Sequence, residues 1–289
     1  MPQYRCTVCK KTITYTKTDN SFHKGHCWEC PLCYSVLAKN RYERNIKGTT
    51  TIFSPMGLAL GDRIVSEVIK RRYILENPDE KVIFLNSEFD FNKIKEKYRP
   101  AKIFWSDITL FKTMPKDVIW FSICNEANEY ARQGYYPQLT FRYKSVEIKK
   151  INFVKEDYIV FHIRNIERSK DKNEKPEIAN NILSYLTKAG FKIVLIGNDE
   201  RLGFEDNYNI VDLRNKLKLE QIAWVCDNAK LYCGKDSGLA HLAGCTSASL
   251  VVWDFASPRW YPKTPNPMIT IMRQNTNVDN ILHAINRIL

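Results

Sequence analysis

Between residues 233 and 244 the chain reads Cys233-Gly234-Lys235-Asp236-Ser237-Gly238-Leu239-Ala240-His241-Leu242-Ala243-Gly244. An apolar run over residues 230–233 ends here, small residues permit a tight turn, and residues 238–243 have the composition of a short helix. A strand that turns at once into a helix aims the first amides of that helix outward. Ser237 and Gly238 can therefore offer O–H and N–H groups to a diphosphate, with His241 one turn further on. The competing reading of His241 is a histidine facing the core.

The same rhythm continues on both sides. Downstream, residues 249–254 read as a strand, and 278–289 as an amphipathic helix with Ile281, Leu282, Ile285 and Ile288 on one face. Upstream lie a strand at 157–163, a helix at 176–189 that opens on Pro176 and closes on Gly190, a strand at 191–197 and a helix at 219–227. Further back, residues 49–54, 81–86, 101–105 and 117–121 read as strands, with helices from Ile64, at 91–98 and at 125–132. Alternation of this kind predicts parallel sheets wrapped by helices. It breaks over residues 134–155, which contain Tyr135-Tyr136-Pro137 and Lys149-Lys150. The expected organisation is α/β, with Rossmann-type lobes at 49–150 and 151–289 and the last helix, 278–289, packing back. Cys124, Cys226, Cys233 and Cys245 lie singly in apolar surroundings and read as core.

Composition closes off other classes. With 289 residues, 44% of them hydrophobic and 12% aromatic, the chain has the means to build cores and is not a disordered protein. No apolar run approaches the ~18 residues of a membrane span. The start, Met1-Pro2-Gln3-Tyr4-Arg5-Cys6, lacks the apolar core of a secretory signal, so a soluble cytoplasmic protein is expected.

Residues 1–48 stand apart. They hold nine Lys and Arg against three Asp and Glu, a surplus of +6 out of +12 for the whole chain. Such a patch favours a polyanionic partner. Cys6-x2-Cys9 and Cys30-x2-Cys33 are separated by 20 residues, and each pair can form a knuckle that aims two thiolates at one ion. The expectation is a small module held together by structural zinc through Cys6, Cys9, Cys30 and Cys33. A second ligand set, with His23 (or His26) and Cys27 in place of Cys30 and Cys33, has the look of a LIM-type finger and stays open.

Ligands of open parallel sheets bind beyond the carboxyl ends of the strands, and two more segments fall there. In the turn from Gly57 to Asp62, glycines allow close backbone approach, and Asp62 either caps its helix or serves as a carboxylate at the mouth of a site. It is not a Walker loop, because no Lys-Ser or Lys-Thr follows. In the other segment, a strand ending in His162-Ile163 opens directly into Arg164, Arg168, Lys170 and Lys172, donors suited to phosphate oxygens or, in the plainer reading, a solvated charged loop.

The Asp236-Ser237-Gly238-Leu239-Ala240-His241 stretch resembles the Asp-Ser-Gly-x-x-His motif of the ADP-heptose heptosyltransferases, GT-B glycosyltransferases, and the likeness extends over most of residues 49–289. Gly61-Asp62 is similar to that family's Gly-Asp turn, whose Asp is the catalytic base. Residues 191–197 look like the strand before its donor loop, which brings in Gly197, and residues 213–229 occupy the place of its next helix. The resemblance implies a GT-B-like pair of Rossmann-type lobes. It also implies Asp62 as base, and Asp236, Ser237, Gly238 and His241 around the donor's diphosphate and sugar. Two features depart from the family. One is the zinc module. The other is His162-Ile163-Arg164, closer to the His-x-Arg of fucosyltransferases, whose Arg contacts donor phosphates.

The expected function is therefore sugar transfer from a nucleotide diphosphate sugar by direct displacement at the anomeric carbon. Asp62 would take the acceptor proton. Arg164, Arg168, Lys235 and the amides after Asp236 would stabilise the departing diphosphate without a divalent ion. The basic module could steer a nucleic acid as acceptor, or equally serve as a protein-docking or purely stabilising unit. Two rivals remain: a non-enzymatic zinc-ribbon nucleic-acid-binding protein, and a sugar-nucleotide epimerase.

Overall fold

The computed structural model describes residues 158–166, 170, 172–198 and 209–289 of the second half of the chain. In the first half it describes residues 3–5, 12–14, 50–53, 59–62, 64–66, 69, 81–84, 102–105, 118–120, 123–134, 136 and 137. The chain divides into two compact units, with the main division after Gln138. The expected helix at 91–98 lies outside the described residues, as do Arg168 and the zinc candidates Cys6, Cys9, His23, His26, Cys27, Cys30 and Cys33.

In the first unit, β1 (Gln3–Arg5) and β2 (Thr12–Thr14) pair antiparallel, Arg5 opposite Thr12. A separate parallel sheet contains β3 (Thr50–Phe53), β4 (Lys81–Phe84), β5 (Lys102–Trp105) and β6 (Val118–Trp120) in the order β4-β3-β5-β6. Among the described residues, 60–62, 64–66 and 69 are helical and follow β3, with Ile64, Val65 and Ile69 buried, as their spacing predicts. Helix α1 (Ile123–Arg132) follows β6.

The second unit is built on six parallel strands: β7 (Tyr158–Ile163), β8 (Lys192–Gly197), β9 (Ile210–Asp212), β10 (Leu231–Lys235), β11 (Ser249–Phe255) and β12 (Met268–Met272). Their order is β12-β11-β10-β7-β8-β9. Apart from its two edge strands, this unit follows the strands and helices expected from the sequence. β9 has only three residues and β12 follows directly on Pro265 and Pro267, so neither shows enough alternation to be read locally.

Side chains alternate between two cores, one on each face of this sheet. On one face, Ile159, Phe161, Ile193, Leu195, Cys233, Val251 and Trp253 pack against α2 (Pro176–Lys188) and α5 (Val278–Ile288). On the other, Val160, Val194, Ile196, Tyr232, Leu250 and Val252 pack against α3 (Leu219–Asp227) and α4 (Gly238–Gly244). Burial of a large apolar side chain is worth roughly 1.5–3 kcal/mol, so these faces outweigh the weak local preference of short helices such as α4. Cys226, Cys233 and Cys245 are buried, as their apolar settings predict.

Helix α2 ends as its sequence requires. Gly190 adopts φ +84°, its N–H donates to the Thr187 carbonyl at 3.0 Å, and the Phe191 N–H donates to the Leu186 carbonyl at 3.0 Å. This is a Schellman closure that directs the chain into β8.

Candidate functional site at the centre of the six-stranded sheet

β7 and β10 are neighbours, yet the helices that follow them go to opposite faces, α2 to one and α4 to the other. Such a reversal of strand order leaves a crevice beyond the carboxyl ends of the two strands, where open α/β sheets bind their ligands. The residues leaving β7 and β10 bring together Arg164, Lys172, Asp236, Ser237 and His241.

Arg164 follows β7 directly and is buried, and its Nη1 donates to the Asp236 carbonyl oxygen at 2.8 Å. Lys172 Nζ pairs with Asp236 Oδ2 at 2.7 Å. The turn after β10 is thus gripped from the β7 loop by its backbone and by its carboxylate. Asparagines hold that loop in shape. Asn173 Nδ2 donates to Asn165 Oδ1 at 3.0 Å, the Ile166 N–H donates to Asn173 Oδ1 at 2.7 Å, and the Asn165 N–H donates to Asn198 Oδ1 at 2.9 Å, joining it to the loop after β8.

Ser237 is the N-cap of α4, its Oγ accepting from the Ala240 N–H at 3.2 Å. The same oxygen lies 3.2 Å from His162 Nδ1, which is also 3.1 Å from Tyr232 Oη. His162 is therefore a buried prop beneath the turn. Burial, with Arg164 adding to it, pushes its imidazole down to about 3 and keeps it neutral. His241 is also buried, at 8% exposure, as a core histidine would be. Its Nδ1, however, is enclosed and has no hydrogen-bond partner among the described residues, whereas buried polar atoms are normally paired. Burial pushes this imidazole down to about 4; Asp236 opposes the shift, and Lys263 and Lys172 add to it.

Lys235 is placed differently from a residue that meets a diphosphate directly. It is the last residue of β10, and its Nζ lies 2.9 Å from Asp254 Oδ2 and donates to the Asn173 carbonyl at 2.9 Å. Asp254 sits at a bulge of β11, with φ +66°. The extra residue shifts the alternation, so Phe255 takes the core face that Asp254 would have occupied, and the carboxylate stays at the sheet end with Arg273 Nε 3.2 Å from its Oδ1. Beside this cluster, buried Glu174 accepts from Trp253 Nε1 at 3.2 Å, and burial raises its carboxyl to about 7 against the pull of Lys235. Sequence reading missed Glu174 and Asp254; the available signal was a carboxylate set inside the apolar run Trp253-Asp254-Phe255.

In the first unit, strand order reverses at β3, and the turn carrying Gly61 and Asp62 follows that strand. Gly61 is buried, and Asp62 is half-buried within the first helical turn rather than at the capping position.

These burials set a pH dependence. His162 and His241, lowered in the folded state, contribute stability that is complete above 6.5 and is lost as pH falls. Glu174, raised in the folded state, acts oppositely, its contribution being lost as pH rises from 4.5 to about 7. Between pH 4.5 and 6.5 these three groups together therefore hold a net one more proton in the unfolded state, and their combined contribution to stability should fall by roughly 1.4 kcal/mol for each unit of acidification. In denaturant titrations across this range, Glu174→Gln should steepen the slope of stability against pH by roughly 1.4 kcal/mol per unit. An unchanged slope in the variant would contradict the assignment.

No family model and no curated protein matches the chain. Solved structures do match in fold. A glycosyl transferase family 9 protein from Veillonella parvula superposes with a TM-score of 0.58 at 10% identity, over 85% of this chain and 98% of that one. The E. coli ADP-heptose lipopolysaccharide heptosyltransferase II gives 0.53 at 15% identity, over 83% and 98%. E. coli heptosyltransferase WaaC with ADP gives 0.51 at 12% identity, over 83% and 100%. The chain therefore has the parallel-sheet α/β fold of these GT-B glycosyltransferases. Among the described residues no helix is long and apolar enough to cross a membrane.

Proposed function

We propose that the chain is a glycosyltransferase that moves a sugar from a nucleoside diphosphate sugar to an acceptor hydroxyl. The observation that carries this reading is the strand order β12-β11-β10-β7-β8-β9, which sets Arg164, Lys172 and the Asp236–His241 turn together at the reversal between β7 and β10. The fold shared with heptosyltransferases, one of them with ADP, supports it.

In this reaction the acceptor oxygen attacks the anomeric carbon as the bond from that carbon to the phosphate oxygen breaks, and the nucleoside diphosphate leaves. Asp62 receives the acceptor proton. Arg164, Arg168 and Lys172 offset the charge that grows on the leaving diphosphate, and the amides of Gly238 and Leu239, in the first turn of α4, are oriented for the same task. Asp236 and His241 take hydroxyls of the donor. Lys235 acts at one remove: it holds the Asn173 end of the β7 loop and Asp254, and so keeps Arg164 and Lys172 in place. Gly197 lets the loop after β8 pass close to β7 beside the site.

Thermal shifts with a panel of nucleoside diphosphate sugars, followed by product analysis, test the proposal. Stabilisation and transfer to an added acceptor support it. A free epimer or sugar formed without an acceptor indicates the epimerase reading. Indifference to every donor, together with nucleic-acid binding, indicates the non-enzymatic one.

Residues 1–48 are proposed to be a zinc module that steers a polyanionic acceptor, a nucleic acid being the class its +6 surplus favours. The first Cys-x2-Cys pair falls between the paired strands β1 and β2, a position that suits a zinc knuckle. Elemental analysis should find about one zinc per chain, the stoichiometry of a single tetrahedral site; a folded, metal-free preparation would end this proposal. DNA binding that weakens with salt and disappears on deletion of residues 1–47 would support the acceptor assignment, and unchanged binding would remove it.

A further inference from the structure

Four hydrogen bonds close a ring through the two loops that leave β7 and β10. The Glu174 N–H donates to the Arg164 carbonyl at 3.0 Å and draws the ends of the β7 loop together. The Glu174 carboxylate accepts from Trp253 Nε1 at 3.2 Å through Oε2. The Trp253 carbonyl accepts from the Asp236 N–H at 2.9 Å, and the Asp236 carbonyl accepts from Arg164 Nη1 at 2.8 Å. The ring thus returns to the residue where it began. Its anchor is Trp253 of β11, which is fully buried with its ring 5.9 Å, centroid to centroid, from that of Phe161 in β7. The main chain of Trp253 holds the turn after β10, and its indole holds the end of the β7 loop.

The position calls for a carboxylate in particular. Glu174 is 2% exposed, and its two oxygens accept from different donors, Oε1 from the Lys175 N–H at 3.1 Å and Oε2 from Trp253. An amide of the same shape has one accepting oxygen, so its NH₂ group would have to face one of those two N–H donors. An apolar side chain would take this acceptor from both. A buried carboxylate also carries a desolvation cost and contributes little to stability for its own sake. What the arrangement supplies is geometry. With both oxygens engaged, Glu174 is held in one orientation, and the Arg164 main chain bonded to it is set relative to β11.

We propose that Glu174 is a positioning residue for the donor diphosphate: through Trp253 and the Arg164 main chain it sets the guanidinium of Arg164 in the crevice. This rests on the donor reading above, and adds to it a residue that acts on the diphosphate without touching it.

A double-mutant cycle tests it. Calorimetric titrations of the full chain with UDP-glucose, GDP-mannose and ADP-glucose compare the parent, Glu174→Gln, Arg164→Ala and the double variant. For the sugar nucleotide that binds most tightly, Glu174→Gln should weaken binding by about tenfold, the usual cost of losing a hydrogen bond to a charged group. Where Arg164 is already Ala, the same substitution should cost less than about twofold. Trp253→Phe removes the donor from the other end of the bond, should show the same dependence on Arg164, and serves if the Gln variant does not fold. In the ligand-free protein, the Arg164 ¹⁵Nε resonance should shift in either variant. Equal weakening with and without Arg164, unchanged affinity, or an unmoved Arg164 resonance would overturn the proposal and leave Glu174 a structural carboxylate. If none of the three sugar nucleotides binds the parent, the donor reading fails by itself. A shifted Arg164 resonance would then keep the positioning of Arg164 by Glu174, and an unmoved one would remove both.

Discussion

Replacing Asp62 with Asn should slow sugar transfer about 10²- to 10⁴-fold, the range attributable to a positioned general base, while donor affinity stays within about twofold. The substitution keeps the size and hydrogen-bonding shape of the side chain but removes its ability to accept the acceptor's proton. Donor affinity should hold because the proposed diphosphate contacts come from β7, β10 and α4 of the other unit. Asp62 lies in the first turn of its helix, where a carboxylate also interacts favourably with the helix dipole, so a purely structural role predicts a different result. In that case the variant would melt lower and transfer sugar normally. Single-turnover rates and melting curves of the same preparation separate the outcomes, and full transfer activity would remove the base assignment.

Gly197→Ala should have the largest effect on stability. Gly197 ends β8 with φ +113°, and a Cβ there would stand 1.9 Å from the Ile163 carbonyl oxygen and 2.9 Å from His162 Cδ2. The obstacle is mainly backbone, and that backbone is committed: the Asn198 N–H donates to the same Ile163 carbonyl at 3.3 Å, and the Asn215 N–H donates to the Gly197 carbonyl at 2.9 Å. Relief requires β7 and β8 to part where Ile163 faces Gly197, next to Arg164. A cost of about 3 kcal/mol or more follows from the strain and the displaced ladder, and the melting point should fall by roughly 6–12 °C. Donor affinity should fall with it, because Arg164 moves. Gly190→Ala is the control. Its φ is +84° but a Cβ there meets nothing within 4 Å, so only the left-handed conformation is penalised, by roughly 1–2 kcal/mol. Equal melting points for the two alanine variants would show that close approach at the β7–β8 end does not matter.

The two glycines also mark how far local reading reaches. Gly190 is legible because a helix that starts at Pro176 and shows helical periodicity needs a left-handed stop, a requirement contained in a dozen consecutive residues. Gly197 looks like any glycine ending a strand; its constraint is a carbonyl 34 residues earlier in the chain. The same holds among the charged residues. Arg164 and Asp236 were legible as residues just past strand ends. Lys235, one position before Asp236, was expected to meet phosphate, yet it engages Asp254 and the Asn173 carbonyl. One residue along a strand end changes which neighbours enclose a side chain, and those neighbours are strands distant in sequence.

The amino-acid sequence by itself determined the alternation of strand and helix in the second unit, the apolar faces that make its sheet two-sided, and the Asp236–His241 turn. Each depends on periodicity or on turn chemistry within a few residues. The tertiary structure alone decided the strand order, and with it which loops share the crevice. It brought Lys172 onto Asp236 and set Glu174 and Asp254 around Lys235. Parallel strands are joined by long crossovers, so any of several orders satisfies the same local pattern. The choice among them is made by the packing of whole faces, which no short window of residues contains.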